Sequence, residues 1–195
     1  ASACEKGGQW QHVLSLFSES QEAVLELDTI SYNIAVSACS KAVYRQRALT
    51  LLSELWEVTL EPDVGSYDVG ISACKERGSW QLALSMLRQL REASLKPGVY
   101  TYNAAVSACG SGVQWQQSLC LLRELFSERL EPDAVSFNAA ASACENDGQW
   151  QQTMMLFGEM QEAGLEPSII SCAAGLCACE KGEQWQDALA LLSAF

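Results

Sequence analysis

VYTYNAAVSACGSGVQWQQSLCLLRELFSERLEPD, running from Val99 to Asp133, is the stretch that decides the fold. Tyr102 to Cys109 is a run of small and apolar residues, too long and too rich in alanine for a strand. It predicts a helix, helix A, able to pack closely on its neighbours because its side chains are small. Gly110-Ser-Gly112 breaks that helix. A second one, helix B, begins near Trp115 and places Trp115, Leu119, Leu122 and Leu125 close to the helical period. Glu131-Pro132-Asp133 ends it, because proline cannot continue a helix and disfavours helical geometry in the residue before it.

The same unit recurs along the chain. Cys4, Cys39, Cys74, Cys109, Cys144 and Cys179 stand 35 residues apart. Trp10, Trp80, Trp115, Trp150 and Trp185 fall on a second comb of that spacing, broken only by Arg45. Pro62, Pro97, Pro132 and Pro167 form a third, with Leu27 where a further proline would stand. Three combs in one register define a repeat array, and such arrays grow by stacking units instead of enlarging one core. Two antiparallel helices and a turn, stacked repeatedly, predict an all-α fold, a right-handed α-solenoid of helix–turn–helix repeats. Four units are complete, 29–63, 64–98, 99–133 and 134–168, flanked by partial units 1–28 and 169–195. Both ends cut the repeat in mid-unit, which implies an excerpt of a longer array.

Composition agrees with a folded helical chain. Of 195 residues, 49% are hydrophobic, too many for a disordered segment. No apolar run approaches the roughly 20 residues of a membrane span. The opening Ala-Ser-Ala-Cys-Glu-Lys is neither a signal peptide nor an Arg-rich transit peptide. Nine cysteines is an odd number, and six occupy one repeated site in a small-residue helix, so buried, reduced thiols are expected. Cys172, Cys177 and Cys179 do not have structural zinc spacing, and no metal or cofactor is expected.

The tryptophans could stack bases, but each opens helix B at the start of its apolar stripe. Packing at the seam between helices is therefore expected, with Trp115→Ala costing about 3–5 kcal/mol. The net charge of −12 is unusual for a nucleic-acid binder. Fourteen acidic and six basic residues fall in the helix B halves, which predicts a solvated outer layer carrying most of the acid. Lys6, Lys41 and Lys181 end helix A in their units, a thin basic line broken by Glu76, Ser111 and Asn146. The expected role of these lysines is phosphate contact.

The unit resembles the pentatricopeptide repeat family, with its P-type 35-residue motif, across the whole chain. The marks are the opening Ser31-Tyr32-Asn33 or Thr101-Tyr102-Asn103 and the closing Gly164-Leu-Glu-Pro167 or Leu130-Glu-Pro-Asp133. Tetratricopeptide repeats run 34 residues and carry other landmarks. The resemblance implies single-stranded RNA binding in a chloroplast or mitochondrion, one repeat to one base, serving RNA processing, stability or editing. Two side chains per repeat would read the base edge: Asn33 with Asp63, Asp68 with Gly98, Asn103 with Asp133, and Asn138 with Ser168. In the family's code, Asn with Asp favours uracil and Asn with Ser favours cytosine, giving 5′-U-N-U-C. Asp68 with Gly98 departs from the pattern, and Ala173 has no hydrogen-bonding side chain. The second residue of each unit, Ile30, Tyr100, Val135 and Ile170, would sandwich the bases, whereas Gly65 does not fit that role and weakens unit 64–98.

Taken one at a time, each of these asparagines could instead cap its own helix start. A second reading is a protein-binding scaffold of the tetratricopeptide kind, which the acidic surface favours. Catalysis is not expected: His12 is the sole histidine, and no HExxH, nucleophile–histidine–acid arrangement or GxxxxGK occurs. Small-molecule substrates and membranes are likewise not expected partners.

Overall fold

A computed structural model describes residues 28–41, 62–75, 79–166 and 169–184, with isolated positions at 12, 15, 16, 19, 50, 51, 54, 186 and 188. Among the described residues there are eight helices and no strand: α1 Thr29–Lys41, α2 Val64–Ala73, α3 Trp80–Glu92, α4 Val99–Ser111, α5 Trp115–Ser127, α6 Ala134–Asn146, α7 Trp150–Glu162 and α8 Ile169–Lys181. The chain divides into two compact units, Ala1–Cys74 with Leu82–Lys96, and Lys75–Gln81 with Pro97–Phe195. Among the described residues no helix is long and apolar enough to cross a membrane.

In the first unit α1 packs on α2. The second unit is a stack of helix–turn–helix repeats. Its A helices α4, α6 and α8 pack in succession, and each described B helix packs against the A helices on either side of it. Small side chains permit this spacing. A methyl group at Gly110 on α4 would come within 3.0 Å of the Ala143 Cβ on α6. The core is Tyr102, Ala105, Val106, Ala108 and Cys109 on α4, the matching Phe137, Ala140, Ala141, Ala143 and Cys144 on α6, and the leucines and methionine of the B helices. Cys74, Cys109, Cys144 and Cys179 are buried at one register, as their comb implies.

Two boundaries differ from the sequence reading. Helix A starts three residues earlier, at Val99, and continues through Gly110 to Ser111. Glycine weakens a helix without stopping it, and at 110 it lets α4 lie close against Ala143 of α6. On α5 the buried stripe is Ser118, Leu121, Leu122 and Leu125, while Leu119 and Trp115 are half-buried. Ser118 enters the core because its hydroxyl donates to the Val106 carbonyl at 3.1 Å, which satisfies the one polar group it buries.

Each described helix–turn junction closes the same way. After α4 the N–H of Gln114 reaches the Cys109 carbonyl and that of Val113 the Gly110 carbonyl, and equivalent pairs follow α3, α5, α6, α7 and α8. This is the Schellman arrangement, which needs one residue in the left-handed region. Gly148 and Gly164 supply it at φ 70° and 71°, but Val113, Ser94, Arg129 and Glu183 also take it, at φ 55° to 59°.

The tryptophans do more modest work than full burial. Trp80, Trp115 and Trp150 are half-buried at the first residue of their helices, so the expectation of core packing holds only in part. Within the second unit, the Trp150 ring lies over Gly182, where an added Cβ would meet Cδ1 at 2.2 Å, and Trp80 lies over Gly112 at 2.3 Å. Each ring covers the turn of the following repeat, and only glycine leaves it room. Trp10, Trp185 and Arg45 lie outside the described residues.

Candidate functional site

The residues expected to read bases share one position, the fifth of helix A: Asn33 on α1, Asp68 on α2, Asn103 on α4 and Asn138 on α6. None is a helix cap. The residue that closes the repeat caps the next helix A instead. Asp133 accepts from the Ser136 N–H and the Ser136 hydroxyl, both at 2.9 Å, while its own N–H donates back to the Ser136 Oγ at 3.2 Å. Asp63 does the same with Ser66 at 2.8 Å for each donor, and Asp28 with Ser31 at 2.9 and 2.6 Å. Aspartate is a preferred cap because its short carboxylate reaches the unpaired N–H groups of the first turn. Gly98 fills this place before α4 without a side-chain acceptor, and the Thr101 hydroxyl accepts from its N–H at 3.1 Å.

Capping fixes each carboxylate where the preceding repeat can use it. The Asn103 amide nitrogen donates to Asp133 Oδ1 at 3.1 Å, and the Asn33 amide nitrogen to Asp63 Oδ1 at 3.4 Å. The members of these two expected pairs therefore touch across 30 residues of sequence. Burial pushes the Asp133 carboxyl up, but the hydrogen bonds from Ser136 and Asn103 outweigh it and hold the group below its ordinary value. Asp63 behaves alike, with Ser66 and Asn33 as donors. Both are carboxylates at neutral pH and act purely as acceptors.

That leaves the other end of each amide. Asn33 Oδ1 and Asn103 Oδ1 are buried and have no hydrogen-bond partner. An unsatisfied buried acceptor costs about 1–3 kcal/mol. Asn138 is oriented the opposite way: the Ser171 hydroxyl, three residues beyond the expected partner Ser168, donates to its Oδ1. Ser168 lies outside the described residues. Asp68 occupies the reading register of α2 and is half-buried.

Each compact unit also holds apolar side chains in water. Ile30, Tyr100 and Val135, second residues of their repeats, are 63%, 62% and 59% exposed. The backbone of Ile170 is helical, and its side chain lies outside the described set. Gly65 holds the equivalent place on α2.

The lysines are placed less simply. Lys181 Nζ donates to the Glu145 carbonyl at 2.8 Å and lies 3.6 Å from its carboxylate. Asn146, one repeat earlier, likewise donates to the Gly110 carbonyl at 3.3 Å. This register thus supplies a donor to the C-terminal end of the preceding helix A, where carbonyls lack partners and positive charge is favoured. Lys6 and the Lys41 side chain lie outside the described residues.

Sequence reading found the Asn–Asp pairs but missed what holds them. The signals were present, as Asp-x-x-Ser at 28–31, 63–66 and 133–136, and as a polar residue at 146 and 181.

Known structures share the fold. The pentatricopeptide repeat protein PPR10 in complex with an 18-nt psaJ RNA element superposes with a TM-score of 0.83 at 23% identity, over 97% of this chain and 28% of that one. A second structure of PPR10, from maize, gives 0.79 at 24% identity, over 98% and 28%. The PPR domain of Arabidopsis thaliana protein-only RNase P 1, in complex with tRNA, gives 0.70 at 15% identity, over 82% and 84%. The chain thus spans about 28% of the length of PPR10. No curated protein matches it significantly. The pentatricopeptide repeat domain matches residues 69–112 and 120–180, more than half of the chain, which therefore belongs to that family.

Proposed function

We propose that this chain binds single-stranded RNA through its repeats, each Asn–Asp pair taking uracil and the Asn138 site taking cytosine. The observation that carries the reading is the recurring side-chain pair, Asn33 with Asp63 and Asn103 with Asp133, at the same register of helix A. With the amide nitrogen held by a carboxylate, the asparagine offers an acceptor. Uracil presents a donor, N3–H, at the centre of its Watson–Crick edge, and cytosine presents an acceptor there. At Asn138 the Ser171 hydroxyl donates to the amide oxygen. The cytosine reading there follows the family's pairing of Asn with a closing Ser. Single-stranded RNA is the ligand whose bases can be splayed out and read on this edge.

The exposed Ile30, Tyr100 and Val135 support the same reading, since base faces would cover apolar surface that otherwise stands in water. So does the similarity to PPR10, which was solved with an RNA element bound. With four sites and stacking of about 1–3 kcal/mol per base at best, association costs leave micromolar or weaker affinity for this chain. RNA processing, stability or editing in a chloroplast or mitochondrion is the setting that the family implies. Import of the tagged protein by isolated organelles tests it.

Replacing the closing residue tests the pairing. Ser168→Asp gives the fourth unit the same Asn with Asp combination as units 29–63 and 99–133, and the fourth position of the site should change from preferring cytosine to preferring uracil. An unchanged preference, with binding retained, would show that the closing residue does not set the base.

A further inference from the structure

The two Asn–Asp pairs are alike in hydrogen bonding but not in what stands beside them. An ideal Cβ built on Gly65 would lie 3.3 Å from Asp63 Oδ1 and 3.8 Å from the Asn33 amide nitrogen. A side chain at position 65 would therefore stand directly beside the Asn33–Asp63 pair. The sequence reading assigned the cost of Gly65 to unit 64–98, whereas this geometry places it at the pair of unit 29–63. Position 135 is equivalent: it follows its capping aspartate by two residues and precedes its capping-box serine by one. There the residue is valine, 59% exposed. So the Asn103–Asp133 pair has an apolar side chain of its own repeat, Tyr100, and one of the next, Val135. The Asn33–Asp63 pair has Ile30 and then a bare backbone.

We propose that Gly65 is a specificity determinant that leaves the Asn33–Asp63 site with a single apolar wall. This rests on the RNA-binding reading above. A base in that site is held by its edge and by one face, whereas a base at Asn103–Asp133 is held by its edge and both faces. The two uracils of U-N-U-C consequently contribute unequally. The first tolerates loss of base planarity and the third does not, because a non-planar ring gives up face contacts while keeping the same edge. Gly65 can be substituted if the Asp63 carboxylate gives by a few tenths of an ångström, as valine at the equivalent position 135 indicates. Its backbone lies in the ordinary helical range at the second residue of α2, and the carboxylate nearest its Cβ belongs to an exposed residue.

Dihydrouridine is the probe, since its saturated ring is puckered but it retains N3–H, O2 and O4. Fluorescence anisotropy would compare U-N-U-C RNAs carrying uridine at both sites, or dihydrouridine at the first or the third position. The proteins are the unmodified chain, Gly65→Val and Val135→Gly, each checked for helix content by circular dichroism. The unmodified chain should lose about tenfold in affinity with dihydrouridine at the third position and less than about twofold at the first, in keeping with ordinary stacking contributions. Gly65→Val should bind the all-uridine RNA about fivefold tighter and become sensitive at the first position. Val135→Gly should lose sensitivity at the third. Equal dihydrouridine penalties at both positions, or folded Gly65→Val with unchanged affinity and unchanged pattern, would overturn the proposal while leaving RNA binding intact. If the unmodified chain fails to distinguish U-N-U-C from an A-rich RNA, the RNA reading itself falls, and this inference with it.

Discussion

At the residue scale, one aspartate serves two repeats. Asp133 caps α6 through Ser136 and turns the amide of Asn103 on α4, so its removal should damage both fold and recognition. Asp133→Ala is expected to cost about 1 kcal/mol, the ordinary worth of a helix cap, read as a lower melting temperature. The same aspartates give stability a pH dependence. Asp28 is held low by the Ser31 hydroxyl and N–H. Asp63 and Asp133 are held low by their donors in spite of burial. A carboxyl depressed in the folded state stabilises fully above its unfolded value, near 4, and that contribution is lost as pH falls through the depressed value. Urea melts from about pH 5 down to 3 should show falling stability, with a shallower slope in the Asp63→Ala/Asp133→Ala double variant. An unchanged slope would remove the aspartates from the account.

These caps also show how far residues can be read from sequence. Asparagine at 33, 103 and 138 was visible as a recurring polar position, and its distance of 30 residues from Asp63 or Asp133 was visible too. That the aspartate is a cap, and that the amide turns according to what it meets, follows from three-dimensional neighbours. That Ser171 reaches Asn138 could not be seen without coordinates.

At the scale of the element, turns carry strain that the periodic pattern hides. Val113 is β-branched and 48% exposed, yet it adopts φ 56° between α4 and α5. L-residues pay roughly 1–2 kcal/mol there, and the next repeat uses Gly148 instead. Val113→Gly should therefore raise thermal stability by about 1 kcal/mol, less whatever chain entropy glycine adds to the unfolded state. Gly148→Val should lower it. The tryptophan–glycine contact gives a second case. Gly182→Ala should destabilise by about 1–3 kcal/mol through its clash with Trp150, and a double-mutant cycle with Trp150→Ala should show strong coupling. Additive effects would mean the ring simply moves aside. Helix positions were legible from the period, whereas the identity of the buried residue was not: Ser118 displaces Leu119 from the stripe because its hydroxyl finds a carbonyl.

Across the whole molecule, the cysteine comb is a packing register with a chemical consequence. Burial pushes the thiols of Cys109 and Cys144 up to about 11, Asp147 adding to the effect at Cys144. Since the thiolate is the reactive species, both should resist alkylation in the native state, while exposed Cys120 reacts. Peptide mapping after a brief iodoacetamide pulse checks this, and labelling at 109 or 144 ahead of 120 would contradict it. The array itself was readable from three combs alone, because repetition multiplies a weak local signal along the chain. The ligand was less readable, since its evidence is a pair of side chains that only the fold brings together.

The most direct test of the central claim is fluorescence anisotropy of this chain with a labelled single-stranded RNA carrying U-N-U-C, against an A-rich RNA and the matching DNA, at low and physiological salt. The account predicts preference for the uracil-bearing RNA, and loss of that preference in Asn103→Ala with the fold unchanged. Equal weak binding to all three, unaffected by Asn103→Ala, would contradict it and leave a protein-binding scaffold as the better description.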